Sequence, residues 1–199
     1  MNEKEKMLLG KLYDPIDDEL LKLRKKAHRL CHEYNQTLED DLEKRNKILK
    51  ELGISLGSDV FLQGPIYFDY GCFISTGDKS YANFNLTILD TCPITIGKNV
   101  FIGPNVSIVA PIHPLRYQER NMYLSEKGYL TDKEYGKPIT IGDNCWIAAN
   151  VTICGGVTIG EGSVIGAGSV VTRSIPENSL AFGNPCKVIR KITEKDSIL

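Results

Sequence analysis

The sequence predicts a mainly β protein, a parallel β-helix of six-residue repeats preceded by a pair of helices. Three observations carry that reading. From Ile141 the chain reads IGDNCW, IAANVT, ICGGVT, IGEGSV, IGAGSV, VTRSIP, with Ile141, Ile147, Ile153, Ile159, Ile165 and Val171 in the first position of six consecutive units. Of 18 glycines, 15 lie between Gly57 and Gly168. The first 53 residues, in contrast, hold 12 of the 24 Lys and Arg and 12 of the 25 Asp and Glu, but only two glycines.

Residues 1–56 form the expected N-terminal helical region. Leu20, Leu21, Leu23, Ala27, Leu30, Cys31 and Tyr34 make an apolar stripe at helical spacing, with Asp17 or Asp18 able to cap its start. A second helix is expected from the Thr37-Leu38-Glu39-Asp40 capping box to Gly53, carrying Leu38, Leu42, Ile48, Leu49 and Leu52. Such a hairpin is too small to fold alone and must dock on another element.

Residues 57–180 are expected to form the solenoid. A six-residue period supplies one short flat strand and one corner per unit, with the branched first residue facing inward and Gly or Asn turning the chain. IGKNVF at Ile96 and IGPNVS at Ile102 obey the same rule, and a fainter trace runs back through Phe84, Cys72, Ile66 and Val60. Three strands per turn give roughly five coils. A helix is excluded because the period is six rather than 3.6 and glycine is its poorest ordinary residue. The phase breaks between Ile108 and Ile141, so an excursion leaves the coils at about 109–138, rich in His113, Arg116, Tyr117, Glu119, Arg120, Tyr123, Tyr129 and Tyr135. Long loops extruded from a regular scaffold are commonly functional. Residues 181–199 form the C-terminal cap, with 186–194 (CKVIRKITE) expected as a short basic helix.

A net charge of −1 argues against a nucleic-acid binder relying on backbone electrostatics and against a polybasic membrane anchor. No apolar run reaches the length of a membrane span and none follows the charged start, so a cytoplasmic location is expected. The six cysteines contain no Cys-x-x-Cys pair and are expected to be reduced thiols rather than disulfides or a zinc site.

Only three histidines are available for chemistry. His28 and His32, at i and i+4, have metal-competent spacing but no third ligand, so no metal is required. His113, in Ala110-Pro111-Ile112-His113-Pro114, sits where the coils give way to the excursion. Flanking prolines restrict its backbone, and a neutral imidazole is the natural general base near neutral pH. A histidine that only satisfies a loop hydrogen bond is the competing reading. The polar run from Tyr81 to Asp90 breaks the repeat about one coil earlier, so stacking is expected to bring Asn83 and Asp90 toward His113, with Asp69 on the same edge.

These residues resemble a known family. GKLYDP, YFDYG, YANFNLTILD, IHPL, EYGKPITIGDNCWI, VIGAGSVVTRSIP and GNPCKVIR are similar to the maltose and galactoside O-acetyltransferases, over nearly the full chain. The resemblance implies a left-handed coil, a homotrimer with active sites between subunits, and acetyl-CoA as cosubstrate. It implies His113 as the catalytic base and Asn83 as the residue that orients the acceptor and stabilises the transition state. Asp69, Asp90 and Asp14 become acceptor contacts. Trp146, Ala149, Ala167, Thr172 and Arg173 would line the acetyl-CoA site, with Lys187 and Arg190 near its phosphates. The implied activity is direct acetyl transfer to a hydroxyl of a sugar. The alternatives are the same chemistry on a serine, an antibiotic or a polysaccharide, and a non-catalytic solenoid scaffold.

Overall fold

The computed structural model describes all of residues 1–199. Three helices come first: α1 (Glu3–Leu8), α2 (Asp18–Asn35) and α3 (Leu42–Leu52). Asp17 caps α2 through its side chain, as expected. The capping box expected at Thr37 is not used. Asp41 caps α3 instead, because the chain turns through residues 37–40 before it enters the helix. Gly53 ends α3 with φ of 84°, a left-handed conformation that glycine adopts without Cβ strain. The short helix α1 has no counterpart in the sequence reading; it buries Met7 against Tyr13, Leu20 and Tyr70.

From Ser55 onward short strands wind into a three-sided prism of parallel sheets, about six turns long rather than the expected five. The first face stacks Ser55–Leu56, Ile74–Thr76, Ile94–Ile96, Ile139–Ile141 and Thr158–Ile159. The second stacks Phe61–Leu62, Tyr81–Ala82, Phe101–Ile102, Trp146–Ile147, Val164–Ile165 and Ser179–Phe182. The third stacks Ile66–Phe68, Leu86–Leu89, Ser107–Val109, Thr152–Cys154 and Val170–Val171.

The interior is a column of aliphatics. Ile94, Ile108, Ile147, Ile153, Ile159 and Ile165 are fully buried, each contributing roughly 1.5–3 kcal/mol of hydrophobic stabilisation. Corners between the first and second faces and between the second and third are turned by Asn99, Asn144, Asn105 and Asn150 at positive φ. Asparagine tolerates that conformation better than other side chains, and Asn85, Asn105 and Asn150 also bond one another up the stack. At Gly103 an added Cβ would come within 2.8 Å of the Ala149 backbone N, so this corner admits no side chain.

The register corrects the faint upstream trace. Leu62, Ala82, Ile102, Ile147, Ile165 and Ala181 lie directly on one another, in steps of 20, 20, 45, 18 and 16 residues. The early coils therefore run to 20 residues. Extending the six-residue beat backward puts Phe84 in an interior position, whereas it is 51% exposed.

Helices α2 and α3 cover the start of the solenoid. Tyr34 donates its hydroxyl hydrogen to the Leu62 carbonyl at 2.6 Å. Asn35 both donates to and accepts from the Ile66 backbone. At the other end, residues 187–191 form a strand, antiparallel to Ser179–Phe182, in place of the expected basic helix. All five of its residues are exposed, and helical geometry is confined to a single turn at Glu194–Asp196. A stack of open strand edges is satisfied by one more strand, whereas a helix would leave those backbone groups unpaired.

Candidate active site at the excursion

The excursion opens with a two-residue stem: Pro111–Ile112 pairs antiparallel with Tyr135–Gly136. Farther out it holds the short helix Tyr117–Arg120 and a hairpin of Tyr123–Leu124 with Leu130–Thr131. The stem puts residues 132–134 beside His113. Its Nδ1 lies 3.4 Å from Asp132 Oδ2 and its Nε2 lies 3.7 Å from Glu134 Oε2, while half of the side chain (50%) remains exposed. Sequence reasoning missed both carboxylates. Glu134 stood inside the EYGKP segment, but only the stem pairing shows that it faces His113.

Glu134 is itself gripped. The buried Tyr13 donates its hydroxyl hydrogen to Glu134 Oε1, and its backbone N–H donates to the Glu134 carbonyl at 3.0 Å. Burial, and then the neighbouring Glu134 carboxylate, push the Tyr13 phenol far up, so it stays a hydrogen-bond donor.

Asp69 stands on the same edge of the prism, where the third face gives way to the first, and faces Glu134 electrostatically. Its carboxylate has no hydrogen-bond donor; the nearest partner is His28 Nε2 at 4.0 Å, and the side chain is 24% exposed. Burial, then the Asp90 and Glu134 charges, push its pKa up to about 6, with Arg24 opposing. The adjacent Tyr70 hydroxyl is buried and also unpartnered. The partly exposed, unpaired Asp69 carboxylate suits a ligand that brings hydroxyl groups.

Asp69 carries a prediction for stability. Its folded pKa of about 6 stands above the ordinary aspartate value. The folded state is therefore favoured by protonation, a contribution fully present below about pH 4 and lost as pH rises through about 6. Asp69→Asn is expected to stabilise the chain by about 2 kcal/mol at pH 7.5 and to change little at pH 4. Urea unfolding at the two pH values checks this. Equal effects at both would mean that the carboxylate is not strained by its surroundings.

Two acidic residues turn out to have other employment. Asp90 is fully buried and accepts the backbone N–H of Tyr70 at 2.8 Å and of Phe73 at 3.2 Å. It supports the corner beneath Asp69 and presents nothing to an acceptor, contrary to expectation. Asp14 accepts hydroxyl hydrogens from Tyr129 at 2.7 Å and Thr131 at 2.5 Å, and the Ile16 N–H at 2.9 Å. Both of its oxygens accept hydrogen bonds, two on Oδ1 and one on Oδ2.

Asn83 does not approach His113 within the chain. Stacking preserves edges, and Asn83 lies on the edge between the second and third faces, with its N–H on the Ile102 carbonyl. Its Oδ1 accepts the Phe84 N–H, which leaves the amide nitrogen outward. Ala149 and Ala167 occupy the same edge farther along, beside the exposed Trp146 that stacks on Phe101. Thr172 and Arg173 lie on the His113 edge and share an open groove with Lys187. Arg190 stands apart, its guanidinium paired to both carboxylate oxygens of Asp196 at 2.6 and 2.8 Å. The expected site residues thus fall on two edges of one prism.

His28 and His32 acquire no third ligand, and no group of three or more His, Cys, Asp or Glu side chains is placed to hold a metal ion. All six cysteines are free thiols. No helix is long and apolar enough to cross a membrane.

Comparison with known proteins agrees with this geometry. Residues 6–52 match the maltose acetyltransferase hexapeptide capping motif, and residues 138–173 match six bacterial transferase hexapeptide repeats. The galactoside O-acetyltransferase of Escherichia coli (strain K12) is 42% identical, over 96% of this chain and 90% of its own length. A maltose O-acetyltransferase from Clostridium difficile 630 superposes with a TM-score of 0.89 at 48% identity, covering 98% of this chain and 99% of its own. A galactoside acetyltransferase solved in complex with coenzyme A gives 0.87 at 42% identity, covering 98% of this chain and 94% of its own. The coil is left-handed, as in these acetyltransferases, against the right-handed rule for ordinary crossovers. With a full-length match in sequence and fold, the chain belongs to the hexapeptide-repeat O-acetyltransferases of the maltose and galactoside type.

Proposed function

We propose that the chain transfers an acetyl group from acetyl-CoA to a hydroxyl of a sugar, with His113 as general base. The observation that carries this reading is the setting of His113. Asp132 stands at Nδ1 and Glu134 beside Nε2, with Asp69 on the same edge. A carboxylate at Nδ1 favours the tautomer whose Nε2 lone pair can accept a proton. Nε2 then removes the acceptor hydroxyl proton as that oxygen bonds to the acetyl carbon, and His113 returns the proton to the departing sulfur. Acetyl-CoA supplies the activated acetyl group as a thioester. Asp69 and Glu134 are suited to hold a polyhydroxyl acceptor.

The small Ala149 and Ala167 beside Trp146 leave a shallow track for an extended cosubstrate, and Arg173 and Lys187 supply positive charge for phosphates. The salt-bridged Arg190 contributes to the field at that end. Because Asn83, Trp146, Ala149 and Ala167 lie on one edge and His113, Asp69, Thr172 and Arg173 on another, a complete site requires two copies edge to edge. A homotrimer of cytoplasmic enzyme meets that requirement with three identical sites. Asn83 of a neighbouring copy would then donate its free amide to the developing oxyanion.

The test is thiol release from acetyl-CoA by the purified chain with glucose, maltose and a galactoside, alongside serine and a no-acceptor control. Sugar-dependent release supports the proposal. Release stimulated by serine alone overturns the sugar assignment, and no release with any acceptor overturns the catalytic reading.

A further inference from the structure

We infer that Asp14 is a positioning residue for the reaction, a latch that holds the excursion so that Asp132 and Glu134 stay against His113, rather than a contact to the acceptor. The inference rests on the assignment of His113 as the base.

The excursion has little else to hold it. Nearly every residue from 114 to 130 is exposed, its helix has four residues and its hairpin strands have two each. Apart from the buried Pro114 at its root, the anchor of the segment is Thr131, which is fully buried. Its hydroxyl donates to Asp14 Oδ1 at 2.5 Å, and the Tyr129 hydroxyl donates to Oδ2 at 2.7 Å. The Ile16 N–H occupies Oδ1 as well, and the Asp14 N–H is fixed by Glu3 Oε2 at 2.7 Å. Tyr13, the next residue back, grips Glu134 through both side chain and backbone. One dipeptide near the N-terminus therefore holds positions 129, 131 and 134. Asp132 lies between those anchor points with its carboxylate turned to the imidazole.

A latched Asp14 keeps its negative charge. Burial works against the charge, but the Thr131 and Tyr129 hydroxyls, the Ile16 N–H and Lys127 outweigh it and leave the carboxyl below its ordinary value. Three of the four lone-pair directions of the Asp14 carboxylate are taken, two on Oδ1 and one on Oδ2, and all but the Ile16 bond tie down the excursion. Its effect on chemistry is therefore assigned to the segment that it holds.

The experiment compares the full-length chain with Asp14→Ala, Thr131→Val, Thr131→Ser, Asp132→Asn and the double variant Asp14→Ala/Asp132→Asn. Two readouts are taken: steady-state transfer from acetyl-CoA to glucose, and the ring-nitrogen chemical shifts of His113, which report which nitrogen carries the proton. Asp14→Ala and Thr131→Val are expected to lower kcat about tenfold to a hundredfold, with KM for acetyl-CoA unchanged within about twofold. Both should convert a single Nδ1–H tautomer into a mixture. Thr131→Ser, which keeps the hydroxyl, should retain wild-type turnover and tautomer. In the Asp132→Asn background, Asp14→Ala should add little further loss.

A raised KM for glucose at unchanged kcat, with the His113 tautomer undisturbed, overturns the inference and makes Asp14 an acceptor contact. Fully additive losses in the double variant overturn it as well. If the wild-type chain transfers to no sugar, the sugar reading fails separately, and the tautomer measurement still decides the latch.

Discussion

His113→Ala is expected to lower acetyl transfer about a thousandfold, the middle of the range for a positioned general base. The loss should fall on kcat, because half of the imidazole is exposed and neither the solenoid core nor the Arg173–Lys187 groove depends on it. For the same reason the thermal midpoint should move by no more than about 2 °C. The size of the effect follows from what remains. A sugar hydroxyl is a poor nucleophile while it keeps its proton, and the other imidazole near this edge, His28, lies against Asp69 rather than beside Asp132. Glu134 is the nearest alternative, but one of its oxygens accepts from Tyr13, which fixes the carboxylate in place. Thiol release by the variant, measured with the best sugar of the panel, checks the prediction. Turnover within tenfold of wild type would move the base from His113 to another group.

Arg45→Met is expected to lower folding stability by about 3–4 kcal/mol, from two hydrogen bonds to a charged donor. Arg45 is only 4% exposed, unusual for an arginine with no carboxylate partner. Its Nη2 donates to the carbonyls of Leu62 at 2.6 Å and Gln63 at 2.7 Å, and its Nη1 reaches the Glu39 carbonyl at 3.3 Å. The guanidinium carbon lies 4.5 Å from the centre of the Tyr34 ring and 5.2 Å from that of Phe61. These carbonyls belong to the first turn of the solenoid, and the two helices supply the donors that seal it. Methionine fills the space but takes the donor from the Gln63 carbonyl and one of two from the Leu62 carbonyl, which keeps the Tyr34 hydroxyl. Arg45→Lys should fall between, since a point charge cannot serve two carbonyls and stack on two rings at once. Thermal unfolding should register Arg45→Met as a drop of roughly 10 °C for a chain of this size. A loss below about 1 kcal/mol would mean that water reaches those carbonyls once the guanidinium is gone.

The contrast between Ile153 and Ile88 shows what the sequence can reveal of this fold. Both are buried rungs of the third face. Ile153 belongs to a run in which every rung is six residues from the next, so the period announces it. Ile88 lies in a coil of 20 residues, where two extra residues destroy the period while stacking still puts it under Ile108. The interior tolerates longer corners because they project into solvent, so register is conserved in space and not along the chain. The C-terminal strand escaped notice for a related reason: basic residues at 186–194 describe an exposed face equally well in a helix or an edge strand.

The site divides the same way. His113 was legible because prolines flank it where the repeat fails. Asp132 and Glu134 were not, since their approach depends on a two-residue stem and on Tyr13, 121 positions away. Asp90 misled because a carboxylate that breaks an apolar pattern signals burial among backbone N–H groups as readily as it signals a ligand.

The step of 45 residues between Ile108 and Ile153 has an evolutionary consequence. These two isoleucines touch as neighbouring rungs, so the scaffold does not register how much chain was spun out between them. Closing a longer loop is cheap, about 0.6 kcal/mol for each doubling of its length. Insertions and deletions at this point can therefore accumulate without retuning a single core residue. His113, the proposed base, sits at the fixed root of that segment, while Asp132 and Glu134 opposite it are carried by its returning limb. A lineage can trade one acceptor for another by exchanging a cassette, leaving the engine that moves the acetyl group untouched.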